Sequence, residues 1–333
     1  MNNLRLQYKL RSDFYEIIRN FFKKRDYLEV ETPLAVSCPG TEVYLDYFSS
    51  HWVNYHGKRK KLWLRSSPEI HMKQILTQDL NKIFQIAKCF RNNGEFSNWH
   101  HPEFSMLEWY ETNISYRDFM TQTFELLKFT YTELQDLYPD VISFEFPNAP
   151  EYFSVKEAFY KFVEIDLEDN DPQLANKAKA KNILSVNSND DFETAFFKIM
   201  IERIEPQLTK IPVVFLYDYP PSQAALAKIE SSKARRFEVY IKGNEISNAF
   251  EELEGLTENK KRFEDTNKKR KSIKKEIIEM DPFFYKSLEK GLKPCCGNAL
   301  GLDRWLALLL GQPGIDKVIP FRESLFLVHD KNN

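Results

Sequence analysis

The chain has 333 residues, 42% of them hydrophobic and 14% aromatic, enough to bury a full core as one large domain or two small ones, which excludes a disordered protein. Its formal net charge of −2 at pH 7 speaks against a protein that works mainly by gripping nucleic acid, so tRNA is not an expected partner. The opening MNNLRLQYKLRSDF lacks the apolar centre of a signal peptide, and no apolar run reaches the length of a membrane span, so a cytoplasmic protein with no membrane partner is expected.

Leu10, Phe14, Ile17, Ile18 and Phe21 follow helical spacing and predict an opening amphipathic helix. YLEVETP, ended by Pro33, reads as extended. Trp63-Leu64-Arg65 predicts a short strand, after which Ser67 suits a helix N-cap and Pro68 the first helical position. Ile83–Arg91 and Phe104–Tyr110 are strand-like runs that predict a long hairpin around a polar loop of about twelve residues, a length more often functional than idle. Residues 116–137 read as helix. Residues 138–190 are the least legible, and a helical insertion around 138–210 is expected, its last helix (Phe192, Phe196, Ile199, Arg203) stopping before Pro206. Val213–Tyr217 predicts a buried strand. Phe237–Ile241 and Glu245–Leu253 predict a second hairpin turning at Lys242-Gly243-Asn244. KKRKSIKK (268–275) reads either as a solvated helix face or as a docking patch. Leu302–Leu310 predicts an apolar helix. Helices interspersed with hairpins, without regular strand–helix alternation, indicate an α+β fold with an antiparallel sheet.

Several residues have the makings of a site. On a strand, Phe104, Met106, Glu108 and Tyr110 share one face. That face is either an ordinary half-buried strand or a surface that stacks a base on Phe104 and holds an ammonium between Glu108 and Tyr110. Arg91 opens the hairpin loop, and its planar fork suits a phosphate or carboxylate. Arg304 follows a glycine-containing segment at the start of a helix, where anions are favoured and Gly301 allows close approach of a nucleotide. Glu238, Glu245 and Glu252 recur every seven residues with Asn248 between them. They suit magnesium riding on ATP phosphates, or they belong to a charged surface hairpin. Strict alternation puts Glu245 on the face opposite Asn248 and Glu252, so a bulge is needed to unite them. His100 and His101 sit in the loop within reach of a phosphate or base. Cys38, Cys89, Cys295 and Cys296 show no CxxC spacing, so zinc is not expected.

Three of these stretches, in order, resemble the signature motifs of class II aminoacyl-tRNA synthetases: YLEVETP motif 1, FRNNGEF…HHPEFSMLEWY motif 2 and GNALGLDR motif 3. RSSPEIHMK, YPPSQAALAKI and RFEVYIKGNEISNAFEEL are similar to segments between those motifs in the lysyl type, and most similar to the elongation factor P β-lysine ligases. The resemblance covers nearly the whole chain. It implies one catalytic domain over 1–333 without an anticodon-binding domain, ATP and Mg2+ as cofactors, β-lysine or lysine as substrate, elongation factor P as partner, and a homodimer formed across motif 1. It implies further that Arg91 holds the α-phosphate and Arg304 the γ-phosphate, that Phe104 stacks on adenine, and that Glu238 and Glu245 bind magnesium. Asn92, Asn93, Glu95, His100, His101, Ile246 and Gly301 are then expected around ATP. Glu69, with Ser67 and Pro68, is expected at the substrate amino group, Asn248 at its carboxylate, and Glu108, Tyr110 and Glu252 at its side-chain ammonium. Ala299 is expected in the amino-acid pocket, where lysyl-tRNA synthetases usually have glycine and the β-lysine ligases alanine.

The chain departs from that pattern at Asn93, where motif 2 usually has glutamate, and Glu95 is the expected replacement in a loop about one residue longer. His101 stands where the family often has asparagine, and Ala249 where it often has glycine. Two other readings remain: an enzyme charging tRNA or another amine acceptor with lysine, and a silent paralogue that senses or scaffolds. The intact Arg91, Arg304, Glu238 and Glu245 argue against the second.

Overall fold

The computed structural model describes residues 4–94 and 97–321. Its first half contains α1 (Leu4–Lys23), β1 (Leu28–Glu29), β2 (Ala35–Val36), β3 (Ser49–Val53), β4 (Arg59–Leu64), α2 (Glu69–Leu76), β5 (Lys82–Phe90), β6 (Glu103–Thr112), α3 (Tyr116–Leu137) and β7 (Glu151–Ser154). There follow α4 (Val155–Val163), α5 (Leu174–Ala180), α6 (Phe192–Ile199), α7 (Glu205–Leu208), β8 (Val213–Tyr219), β9 (Ile229–Glu230), β10 (Lys233–Ile241), β11 (Asn244–Glu251), α8 (Leu256–Ser272), α9 (Pro282–Glu289), β12 (Cys295–Gly301) and α10 (Leu302–Leu309).

The main sheet runs β1-β5-β6-β12-β11-β10-β8-β7, with β9 attached to β10. Its centre is antiparallel as expected. The two end pairs, β1 with β5 and β7 with β8, are parallel, a feature that period-two alternation cannot reveal. One face is covered by α1, α3 and α10, whose Phe22, Phe119 and Trp305 pack with Phe84, Trp109 and Phe237 from the strands. α1 buries the stripe anticipated from its spacing. α3 starts where Ser115 accepts the Asp118 N–H. The other face carries the site at its centre. A small second sheet, β2-β4-β3, lies beside it.

The region expected to be a helical insertion is helical from residue 155 to 208 but irregular over 138–150, with β7 joining the sheet. Its helices share a core with the sheet, Phe159, Phe196 and Ile199 packing on Val214, Leu216 and Tyr240. The helix expected to stop before Pro206 runs through it. Met200–Ile204 form a π turn in which the Glu205 N–H reaches back five residues to Met200 O. That wide turn accommodates a proline with no N–H to offer. The basic run 268–275 ends α8, and it is not uniformly solvated. Arg270 is 2% exposed, donating to the carbonyls of Glu42, Leu45 and Glu276 (2.7, 2.8 and 2.8 Å). All four cysteines are free and buried. Among the described residues no helix is long and apolar enough to cross a membrane.

Candidate active site

Sheet register brings the predicted residues into rows. Across β5, β6, β12, β11 and β10, the paired positions are Gln85, Glu108, Ala299, Asn248 and Glu238. The next row is Ile83, Tyr110, Gly297, Phe250 and Arg236. A Cβ at Gly297 would lie 2.6 Å from Tyr110 Cδ1 and against Glu252 Oε1. Only glycine lets that ring and carboxylate lie over the strand. Glu245 reaches the same face through a bulge. Val239 pairs with Ser247 and Tyr240 with Glu245, leaving Ile246 as the extra residue. Ile246 itself turns into the main apolar core, so only its backbone faces the site side.

One end of the row is a pocket lined by carboxyl groups. The sequence pattern predicts Ser67 as the cap of α2 and Pro68 as its first helical residue. α2 instead begins at Glu69, with Pro68 in the capping position. The Ser67 hydroxyl still accepts the Glu69 N–H at 2.9 Å, and its own proton faces Glu108 (3.0 and 3.1 Å), so it serves helix and pocket together. The Tyr110 hydroxyl donates to Glu108 at 3.4 Å. Burial, then the neighbouring Glu69, raises Glu108 well above the usual carboxylate range, with Ser67 opposing. Glu252, 1% exposed, is pushed up to about 7, mainly by burial, against the pull of Lys73. Lys73 was not singled out from the sequence, yet its ammonium lies 2.6 Å from Glu69 and 2.5 Å from Glu252. Its position four residues after Glu69 was the available signal. Three carboxyl groups thus gather around one ammonium.

At the other end Arg304 donates to Glu245 O (2.7 Å) and Trp99 O (3.2 Å) and lies 2.8 Å from His100 Nε2. With Tyr240 and Glu205 these groups line a cavity of about 630 Å³. Gly301 caps α10, and a Cβ there would meet nothing closer than 3.8 Å. No steric demand within the protein requires glycine, which leaves open space beside Arg304. Arg304 is aimed by its neighbour Asp303, which accepts from Arg11 (2.5 Å) and from the Ser105 N–H (2.6 Å), clamping α10 to α1 and β6. Arg91 lies over the Phe104 ring, 5.2 Å from its centre, and its buried Nε has no hydrogen-bond partner among the described residues.

Other predicted residues fall outside this cavity's lining. His101 is 7% exposed, with Nδ1 2.6 Å from Glu103 O, so it faces its own backbone turn. Asn92 and Asn93 are exposed and anchored to Asp46, by the Asn92 N–H and, at 2.9 Å, by Asn93 Nδ2. Glu95 lies outside the described residues.

Between the two ends, Glu238 accepts from Tyr219 (2.5 Å), Tyr240 (2.8 Å) and Arg236 (2.5 Å). Arg236 also donates to Asn248 (3.2 Å). Sequence reasoning missed Arg236, although it lies two residues before Glu238 on the same strand face. Burial, then Glu238, pushes Glu245 up to about 7 against the pull of Arg304. Among the described residues, no group of three or more His, Cys, Asp or Glu is arranged to hold a metal. A larger cleft, about 720 Å³, opens beside β7 and α4 and contains none of the predicted site residues.

Residues 1–324 match the family model for tRNA synthetases class II (D, K and N). The chain is 36% identical to the elongation factor P--(R)-beta-lysine ligase of Buchnera aphidicola subsp. Baizongia pistaciae (strain Bp), over 91% of each chain. It is likewise 36% identical to that of Proteus mirabilis (strain HI4320), over 91% of each, and 33% identical to that of Hamiltonella defensa subsp. Acyrthosiphon pisum (strain 5AT), over 93% of each. By motifs, fold and similarity along nearly its whole length, the chain belongs to the class II tRNA synthetases (D, K and N), with elongation factor P--(R)-beta-lysine ligases among its relatives.

Proposed function

We propose that this enzyme activates (R)-β-lysine with ATP and transfers it to the ε-amine of a lysine on elongation factor P. The observation that carries the reading is the charge of the amine pocket. Three carboxyl groups, Glu69, Glu108 and Glu252, gather around the single ammonium of Lys73, and the burial that raises Glu108 and Glu252 is relieved by a substrate that brings two ammonium groups. A substrate lacking one would leave a buried carboxylate unpaired. Asn248, held by Arg236, is positioned for the substrate carboxylate. The methyl of Ala299, in register between Glu108 and Asn248, narrows the floor between those groups and favours the β-amino acid over α-lysine.

In the first step a substrate carboxylate oxygen attacks the ATP α-phosphorus, the bond to pyrophosphate breaks, and an acyl-adenylate forms. Arg91 has an unspent buried N–H to offer the α-phosphate, and Arg304 meets the far end of the triphosphate in the cavity it lines. Both are in place before the reaction and stabilise the charge that develops in it, so no protein nucleophile is needed. In the second step the lysine ε-amine attacks the acyl carbon and AMP leaves. Glu238 and Glu245 are the carboxylates that would hold magnesium on the phosphates. The fit rests on Glu245, raised by burial and by Glu238, a like-charge strain that a divalent cation relieves. When bound, magnesium neutralises phosphate charge. Leu28 and Leu34, about the motif 1 segment, are 50% and 40% exposed and support a homodimer across that edge, for which a monomeric sedimentation mass would be contrary evidence.

ATP–pyrophosphate exchange tests the reading. Exchange is expected with (R)-β-lysine in preference to α-lysine, and Arg91→Ala is expected to reduce it roughly 10²–10³-fold, the usual scale for losing a charge-stabilising donor. Normal exchange by Arg91→Ala would refute the assignment of that residue.

A further inference from the structure

Lys73 is 1% exposed, and its ammonium stands between two carboxylates that the proposed function gives to two different substrate groups. It lies 2.6 Å from Glu69, the partner of the backbone amine, and 2.5 Å from Glu252, a partner of the side-chain amine. Its stem is fixed, because α2 packs Ile70, Met72 and Leu76 against Tyr110, Phe284 and Leu288. We infer that Lys73 is a positioning residue that sets amine selectivity: its ammonium bridges Glu69 and Glu252 and holds them apart, so that each is presented to a different ammonium group of a diamino acid.

The groups around it leave little else to do this. Glu69 comes from its own helix, Glu108 and Tyr110 from β6, Glu252 from just beyond β11 and Cys295 from β12, while α9 packs Phe284, Leu288 and the partly buried Tyr285 on this cluster. All but Lys73 are anionic or neutral. Arg65, the next cation out, spends its donors on Lys88 O (3.0 Å) and on Thr32 O and Oγ1 (2.9 and 2.6 Å). Lys73 stays charged despite burial because Glu252 and Glu69 outweigh the cost of desolvation. Without it, Glu252 keeps its proton to higher pH, and an incoming ammonium must first displace that proton.

This inference rests on the diamine reading of the pocket. It is tested by measuring KM for (R)-β-lysine and for ATP in pyrophosphate exchange, at pH values from about 6 to about 8.5, in the native enzyme, Lys73→Met and Lys73→Arg. Lys73→Met is expected to raise the amino-acid KM at pH 7 by about tenfold, as when a carboxyl keeps its proton to a tenfold lower proton concentration. The loss should shrink as pH rises, the ATP KM should hold within about twofold, and Lys73→Arg should restore most of the native profile by keeping the charge. An amino-acid KM that is unchanged in Lys73→Met, or a loss of equal size at every pH, would overturn the inference and leave Lys73 as packing. A native enzyme that exchanges equally well with a monoamino acid such as norleucine would overturn the diamine reading itself, and the inference with it.

Discussion

At the scale of single residues, the site stores its strain in carboxylates. Glu245 and Glu252 are each pushed up to about 7, chiefly by burial. A carboxyl whose folded pKa is raised contributes stability that is fully present below its unfolded value and lost as pH rises through the folded one. For Glu252 that window runs from 4.5 to about 7. Thermal melts of the ligand-free enzyme are therefore expected to show Tm falling between pH about 4.5 and about 7 by more in the native chain than in Glu252→Gln, and a diamino acid should diminish the difference. Parallel pH profiles for the two proteins would contradict the assignment. Residue type and spacing singled out Glu108, Tyr110 and Glu252, while Glu69 and the role of Asn248 came only from the family resemblance. Lys73 and Arg236 escaped because a lysine and an arginine among glutamates read as surface charge until burial is known. His101, singled out as a loop histidine, has its Nδ1 2.6 Å from Glu103 O.

At the scale of elements, alternation along β11 demanded a bulge, and the structure has it at Ile246, where the register against β10 shifts by one. The hairpin turn was readable for a local reason: Lys242 and Gly243 both have positive φ, 45° and 78°, as a two-residue turn between twisted strands requires. The parallel end strands and the π turn before Pro206 were not readable. The first is a choice of partner far away in sequence, and the second a backbone adjustment that leaves the side-chain period nearly intact. The clamp on motif 3 is also long-range. Asp303 receives Arg11 from 292 residues away, together with the Ser105 N–H. Asp303→Asn breaks a buried ion pair by removing one charge and is expected to cost about 3–5 kcal/mol in denaturant unfolding. A cost below about 1 kcal/mol, the range of exposed pairs, would show that the clamp contributes little.

At the scale of the whole molecule, sheet register converts scattered motifs into one line. Gln85, Glu108, Ala299, Asn248 and Glu238 occupy successive strands, with a carboxyl-lined pocket toward α2 and the cavity lined by Arg304 toward α10. In the proposed function, ammonium, carboxylate and phosphate would lie in that order along the line. The segment 138–190 was the least readable in sequence because its polar patches obscure the apolar period, and the helices from α4 to α7 pack on the sheet and bring Glu205 to the cavity wall.

The most direct test of the proposed function is the mass of elongation factor P after incubation with this enzyme, ATP, magnesium and (R)-β-lysine. The expected result is a gain equal to one β-lysyl group on a single lysine, dependent on ATP and absent with Arg91→Ala. An unmodified factor, in a mixture where pyrophosphate exchange proceeds, would contradict the proposed acceptor while leaving the activation chemistry in place.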